Sequence, residues 1–76
     1  MKVVAVSQGG GSYLVDLEEI KPDFVLMVDF DRDDVFGPYP LYSMLMRGPW
    51  QQPELKDPET LTALMKAEEY MKGRKA

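Results

Sequence analysis

Apolar residues along the chain gather into three short runs in the first 30 positions and one stretch of helical period near the C-terminus. Residues 2–7 are rich in valine and alternate weakly, which predicts a strand. Gly9, Gly10 and Gly11 follow as a turn, since glycine takes positive φ at no steric cost. In residues 13–17, Tyr13, Val15 and Leu17 share one face, and Ser12 and Asp16 fall on the other. This second strand and the first read as a hairpin closed by the glycine loop. Pro22 bars any strand from continuing through residues 18–23. Residues 24–30 form the most apolar run, and unbroken apolarity points to a central strand covered on both faces.

Gly37, Pro38 and Pro40 mark residues 31–40 as a loop. Residues 41–47 read as a short helix or a fourth strand: Met44, Leu45 and Met46 favour helix, but seven positions do not separate the two. Pro49, Trp50 and Pro53 make residues 48–56 irregular. Asp57 is a good N-cap, Pro58 suits the first helical position, and Glu59 suits the positive end of the helix dipole. The helix should run over 58–72 and stop at Gly73. Its apolar stripe reads as Leu61, Leu64, Met65 and Met71, flanked by Ala63, Ala67 and Tyr70, with Lys66, Glu69 and Lys72 facing water. The fold class that follows is α+β: one small domain over residues 1–76, with a three- or four-stranded, mainly antiparallel sheet packed by one C-terminal helix.

Length narrows the function. A chain of 76 residues buries only about 60% of the surface it exposes when unfolded. Its stability is then on the order of 5 kcal/mol or less, and a binding role suits it better than a closed catalytic pocket. It contains no cysteine and no histidine. Disulfides, zinc thiolates, cysteine nucleophiles and the commonest general base are thereby excluded. Small secreted domains usually lean on disulfides, so a reducing cytoplasm is the expected location. No apolar run is long enough to span a bilayer, and the N-terminus does not read as a signal peptide. The chain reads as soluble and complete.

The net charge is −4, and it is unevenly placed. Residues 1–57 carry ten acids against five bases, whereas residues 58–76 carry three against four. An acidic body disfavours nucleic acid and membrane surfaces and favours basic partners.

Four of those ten acids, Asp29, Asp31, Asp33 and Asp34, come directly after the apolar run of residues 24–28. Asp29, Asp31 and Asp33 have the one-three-five spacing of a calcium loop. The sixth position, however, is Asp34 where a glycine is needed, and the twelfth is Pro40 where a bidentate Glu is needed. An irregular Ca²⁺ or Mg²⁺ site on Asp29, Asp31 and Asp33 is the alternative that survives. An Asp-x-Asp pair holding Mg²⁺ or Mn²⁺ for group transfer would need a longer chain and more ligands. The plainest reading is a solvated loop that protects a strand end from aggregation.

Gly9-x-Gly11 after a strand is a fragment of a dinucleotide fingerprint, but Leu14 stands at the third glycine position. Ser7, Ser12, Ser43, Thr60 and Thr62 have no base beside them. Catalysis is therefore not expected, and no cofactor is implied. Phe36, Tyr39, Tyr42, Met44, Met46 and Trp50 are the residue types enriched at interfaces, with Arg47 among them.

Together these features point to a small acidic module that docks on a basic surface of a larger protein. The contact residues would be Asp29, Asp31, Asp33, Asp34, Phe36, Tyr39, Tyr42 and Trp50, with Tyr39, Tyr42 or Trp50 exposed as the anchor. One concrete form is an inhibitor that mimics nucleic-acid charge, a compositional analogy with phage-encoded modulators of host enzymes. A structural subunit of an assembly is a further alternative, and a second copy of the chain could cover the sheet.

Overall fold

The structure, a computed structural model, describes residues 1–74. It is an α+β fold in which five strands form one antiparallel sheet and a long C-terminal helix packs on it. The strands are β1 (Val3–Ser7), β2 (Ser12–Asp16), β3 (Phe24–Asp29), β4 (Asp34–Pro40) and β5 (Trp50–Gln51). The helices are α1 (Leu41–Leu45) and α2 (Pro58–Arg74). Spatial order is β4-β3-β2-β1-β5.

The class matches the sequence reading, but the strand count is higher by one or two. Residues 34–40 form a strand where a loop was expected. Pro38 and Pro40 fit there because β4 lies at the edge of the sheet, where a missing N–H leaves no ladder bond unmade. Gly37 absorbs the irregularity with φ of 127°, beside the shift in register between Val25 and Met27. Trp50 and Gln51, expected to be irregular, pair with Ser7 and Val6. Residues 41–45 resolve as helix.

The middle of the sheet is β2, not β3. Residues 13–17 are all buried, and alternation sends them to two layers. Tyr13, Val15 and Leu17 join Leu26, Val28, Ala63 and Ala67 beneath α2. Leu14 points the other way and packs with Ala5, Val25 and Met44 beneath α1. Continuous apolarity in β3 does mean covered faces, with Val25 on one and Leu26 and Val28 on the other.

Helix α2 begins as its local signals require. Asp57 Oδ1 accepts the Glu59 N–H at 3.0 Å, capping the first turn. Its buried stripe is not the one the largest side chains suggest. Thr60, Ala63 and Ala67 are buried, whereas Leu61 and Met65 are exposed. Two alanines let the helix lie close to the sheet, and Leu64, Tyr70 and Met71 flank the contact. Lys66 is half-buried and does not simply face water. The helix also continues through Gly73 to Arg74.

Replacing Leu14 by Ala should cost about 2–5 kcal/mol, enough to leave much of this small domain unfolded at 25 °C. Leu61→Ala should stay within about 0.5 kcal/mol of the parent. Urea unfolding followed by circular dichroism measures both, and comparable losses would contradict the assigned helix face.

Candidate interaction surface

The four aspartates close the hairpin between β3 and β4, and each meets a different fate. Asp29 ends β3 with its side chain largely buried. Its Oδ1 accepts the N–H groups of Asp31 at 3.0 Å and Arg32 at 3.2 Å. Arg32 Nε stands 3.8 Å from its Oδ2. Asp29 therefore builds the turn. Asp33 takes φ of 53°, a left-handed conformation that Asp tolerates better than most residues. Its carboxylate receives the Lys66 ammonium at 2.7 Å. That contact holds Asp33 below the ordinary carboxylate pKa and Lys66 above the ordinary lysine pKa, by hydrogen bonding first and charge second.

Asp31 and Asp34 are exposed and carry no ion pair among the described residues. The Asp31 carboxylate leans on the glycine turn: a Cβ on Gly11 would stand 2.7 Å from Asp31 Oδ2. The Phe30 N–H donates to the Gly11 carbonyl at 2.9 Å. The β1–β2 and β3–β4 turns are thus side by side at one end of the sheet, and glycine at position 11 is what lets them approach. Among the described residues, no three acidic side chains converge as a metal site would require. Asp29, Asp31 and Asp33 point to separate partners, so the one-three-five spacing does not become a coordination geometry.

The aromatic candidates divide in a similar way. Tyr42 is 75% exposed on the outer side of α1. Trp50, expected to be exposed, is half-buried, because its indole N–H donates to the Met44 carbonyl at 2.7 Å. Tyr39 is partly exposed, and Phe36 is half-buried opposite Met27. Between α1 and the sheet lies a groove of about 530 Å³, lined by Met27, Tyr39, Pro40, Met44, Arg47 and Trp50. The groove exists because α1 has only five residues and leaves part of this sheet face uncovered.

The groove and the acidic turn draw on the same face of β3, although no acidic side chain lines the groove itself. Met27 and Asp29 lie two positions apart on one face of β3, since strand side chains alternate. Across the ladder Met27 pairs with Phe36, and Asp29 pairs with Asp34. Along this face of β3 and β4 the side chains therefore change from thioether and ring to carboxylates within two positions. Met27 was not legible as a site residue, because nothing in a run of apolar residues says which one borders a groove. Of the three aromatic residues expected to serve as an anchor, Tyr39 and Trp50 wall the groove, and Tyr42 stands exposed.

Compared with family models, curated proteins and solved structures, the chain matches none of them. No helix among the described residues is long and apolar enough to cross a membrane.

The Asp33–Lys66 pair makes its full contribution between the ordinary pKa values of its members, 3.8 and 10.5. It is lost as pH falls through the depressed Asp33 value and as pH rises through the raised Lys66 value. Carboxyl ¹³C titration should place Asp33 below its ordinary value, and Lys66→Met should return it there. An Asp33 pKa indifferent to that substitution would contradict the pairing.

Proposed function

We propose that this chain is a small protein-interaction module that docks on a basic surface of a larger protein and modulates it. The observation that supports the reading best is the half-open sheet face, where an apolar groove shares a face of β3 with the acidic turn, whose Asp31 and Asp34 carry no ion pair among the described residues. Asp31 and Asp34 supply charge that steers a basic partner and fixes its orientation. The groove walled by Tyr39, Met44 and Trp50 takes an apolar side chain from that partner, giving the buried centre that carries most binding energy at such contacts. Asp29 and Asp33 contribute mainly by shaping the turn, since their own carboxylates are engaged. One form of this activity is inhibition, with the acidic turn occupying a surface that otherwise receives nucleic-acid phosphates.

The exposed Tyr42, Leu45 and Met46 on α1 favour a second reading, in which the same face is buried within an assembly. Light scattering of the purified chain separates the two: a monomer supports docking on a foreign partner, and a stable oligomer supports the assembly.

The docking reading is tested by capture from lysate at low and high salt, with the tagged parent beside Asp31→Lys/Asp34→Lys and Tyr39→Ala variants. The expected result is a partner held by the parent, weakened by salt, and lost by both variants. A partner retained by either variant would contradict it.

A further inference from the structure

The lining of the groove beside α1 includes Arg47 and Ser43 but no acidic side chain. Arg47 makes no ion pair among the described residues. The Ser43 hydroxyl makes no hydrogen bond among them. A guanidinium and a hydroxyl, both without a partner on the wall of an otherwise apolar groove, suit a carboxylate.

The two groups are placed to act together. Helix α1 ends at Leu45, but Met46 keeps right-handed helical dihedrals, and the Arg47 N–H donates to the Met44 carbonyl at 3.0 Å. Ser43 and Arg47, four positions apart, therefore stand one turn from each other on the same side. Carbonyls at a helix end repel an anion, but here they are engaged. That of Tyr42 accepts the Met46 N–H, and that of Leu45 accepts the Gly48 N–H. That of Met44 accepts both the Arg47 N–H and the Trp50 indole N–H.

The rest of the lining is ring and thioether: Tyr39, Trp50, Met27 and Met44. Rings pack well on rings, and thioethers make favourable contacts with aromatic edges, so the guest that suits these walls is aromatic. The volume of about 530 Å³ lies within the roughly 300–1,000 Å³ of sites that enclose a whole small molecule. There is room for a side chain together with its own main chain. In an extended segment, neighbouring side chains point to opposite sides, so an internal acid beside an aromatic residue aims its carboxylate away. At the end of a chain, ring and carboxylate branch from one Cα.

Charge of the other sign lies further along the same face. Asp29, paired across the ladder with Asp34, is two positions beyond Met27 on β3, about 7 Å away. Asp34 carries no ion pair among the described residues. A basic residue two positions before the terminus falls on the same side as the terminal ring and suits that carboxylate. A free aromatic acid offers no such cation.

We propose that the groove binds the C-terminal residue of a partner protein, an aromatic residue whose terminal carboxylate is held by Arg47 and Ser43. The inference rests on the docking reading above, of which it names the inserted side chain.

The test is a ¹⁵N NMR titration of the full chain with the peptide Nα-acetyl-Lys-Ala-Phe as the free acid. Its C-terminal amide, Nα-acetyl-Lys-Ala-Ala as the free acid, and 3-phenylpropanoate are compared with it. The Phe acid should saturably shift the Met44 and Arg47 amides and the Trp50 indole N–H. The amide should bind roughly fivefold more weakly, 3-phenylpropanoate more weakly than the Phe acid, and the Ala peptide without saturation. Arg47→Gln should lower the affinity of the acid to that of the amide while leaving the amide unchanged, which a loss of folding would not do. Ser43→Ala should weaken the acid by a smaller factor. Equal affinity for acid and amide in the parent would overturn the inference but leave docking through an internal side chain standing. Binding of 3-phenylpropanoate as tight as that of the Phe acid would overturn it in favour of a free aromatic acid. Failure of both Phe peptides to saturate would overturn it and remove the groove from the docking reading as well.

Discussion

Strand β2 lies at the middle of the sheet and is buried from both sides, with Leu14 turned to α1 and Val15 and Leu17 turned to α2. Each such side chain contributes about 1.5–3 kcal/mol on burial. In a domain whose whole stability is on the order of 5 kcal/mol, the removal of one can decide whether the chain folds. The register of β2 fixes its neighbours. Pairing Tyr13 with Val6 on one side and Val28 on the other aligns both hairpins. That alignment brings the glycine turn and the acidic turn to the same end of the sheet.

The two faces of the sheet are covered unequally, and the groove follows from that inequality. Helix α2, with seventeen residues, closes one face through Ala63 and Ala67. Helix α1, with five, leaves the other half-open, so Met27, Tyr39 and Trp50 border a groove. Charge is partitioned by local geometry in the same manner. Asp29 is absorbed by its own turn and Asp33 by Lys66, while Asp31 and Asp34 carry no ion pair among the described residues. At the start of α2, Asp57 holds the first N–H groups of the helix.

Local chemistry made part of this legible in the sequence. The hairpin of residues 2–17 followed from the glycines and the alternation around Tyr13, and the start of α2 followed from Asp57 and Pro58. Features that depend on distant neighbours were not legible. Gly37, Pro38 and Pro40 read as a loop, because their tolerance in a strand depends on β4 having no outer partner. Trp50 read as exposed and irregular, because its pairing with Ser7 and its bond to the Met44 carbonyl are set by the tertiary fold. The stripe of α2 was read in part: Leu64 and Met71 pack on the core as expected, but Leu61 and Met65 were placed in it ahead of Ala63 and Ala67, which are small enough to fit the sheet. The aspartate cluster was visible as charge, but which carboxylates stay unpaired depends on Arg32, Lys66 and the left-handed turn at Asp33. Ser43 and Arg47 share a wall only because residues 41–45 are helical, which seven positions between prolines did not decide.

Hydrogen–deuterium exchange of the full chain, alone and with any protein captured from lysate, tests the proposed docking face most directly. Slower exchange of the partner-bound form at residues 29–36 and 39–50, with the outer side of α2 at residues 61–69 unchanged, is the result expected of docking through the acidic turn and groove. Protection centred on α2, with residues 29–50 exchanging as in the free chain, would contradict it.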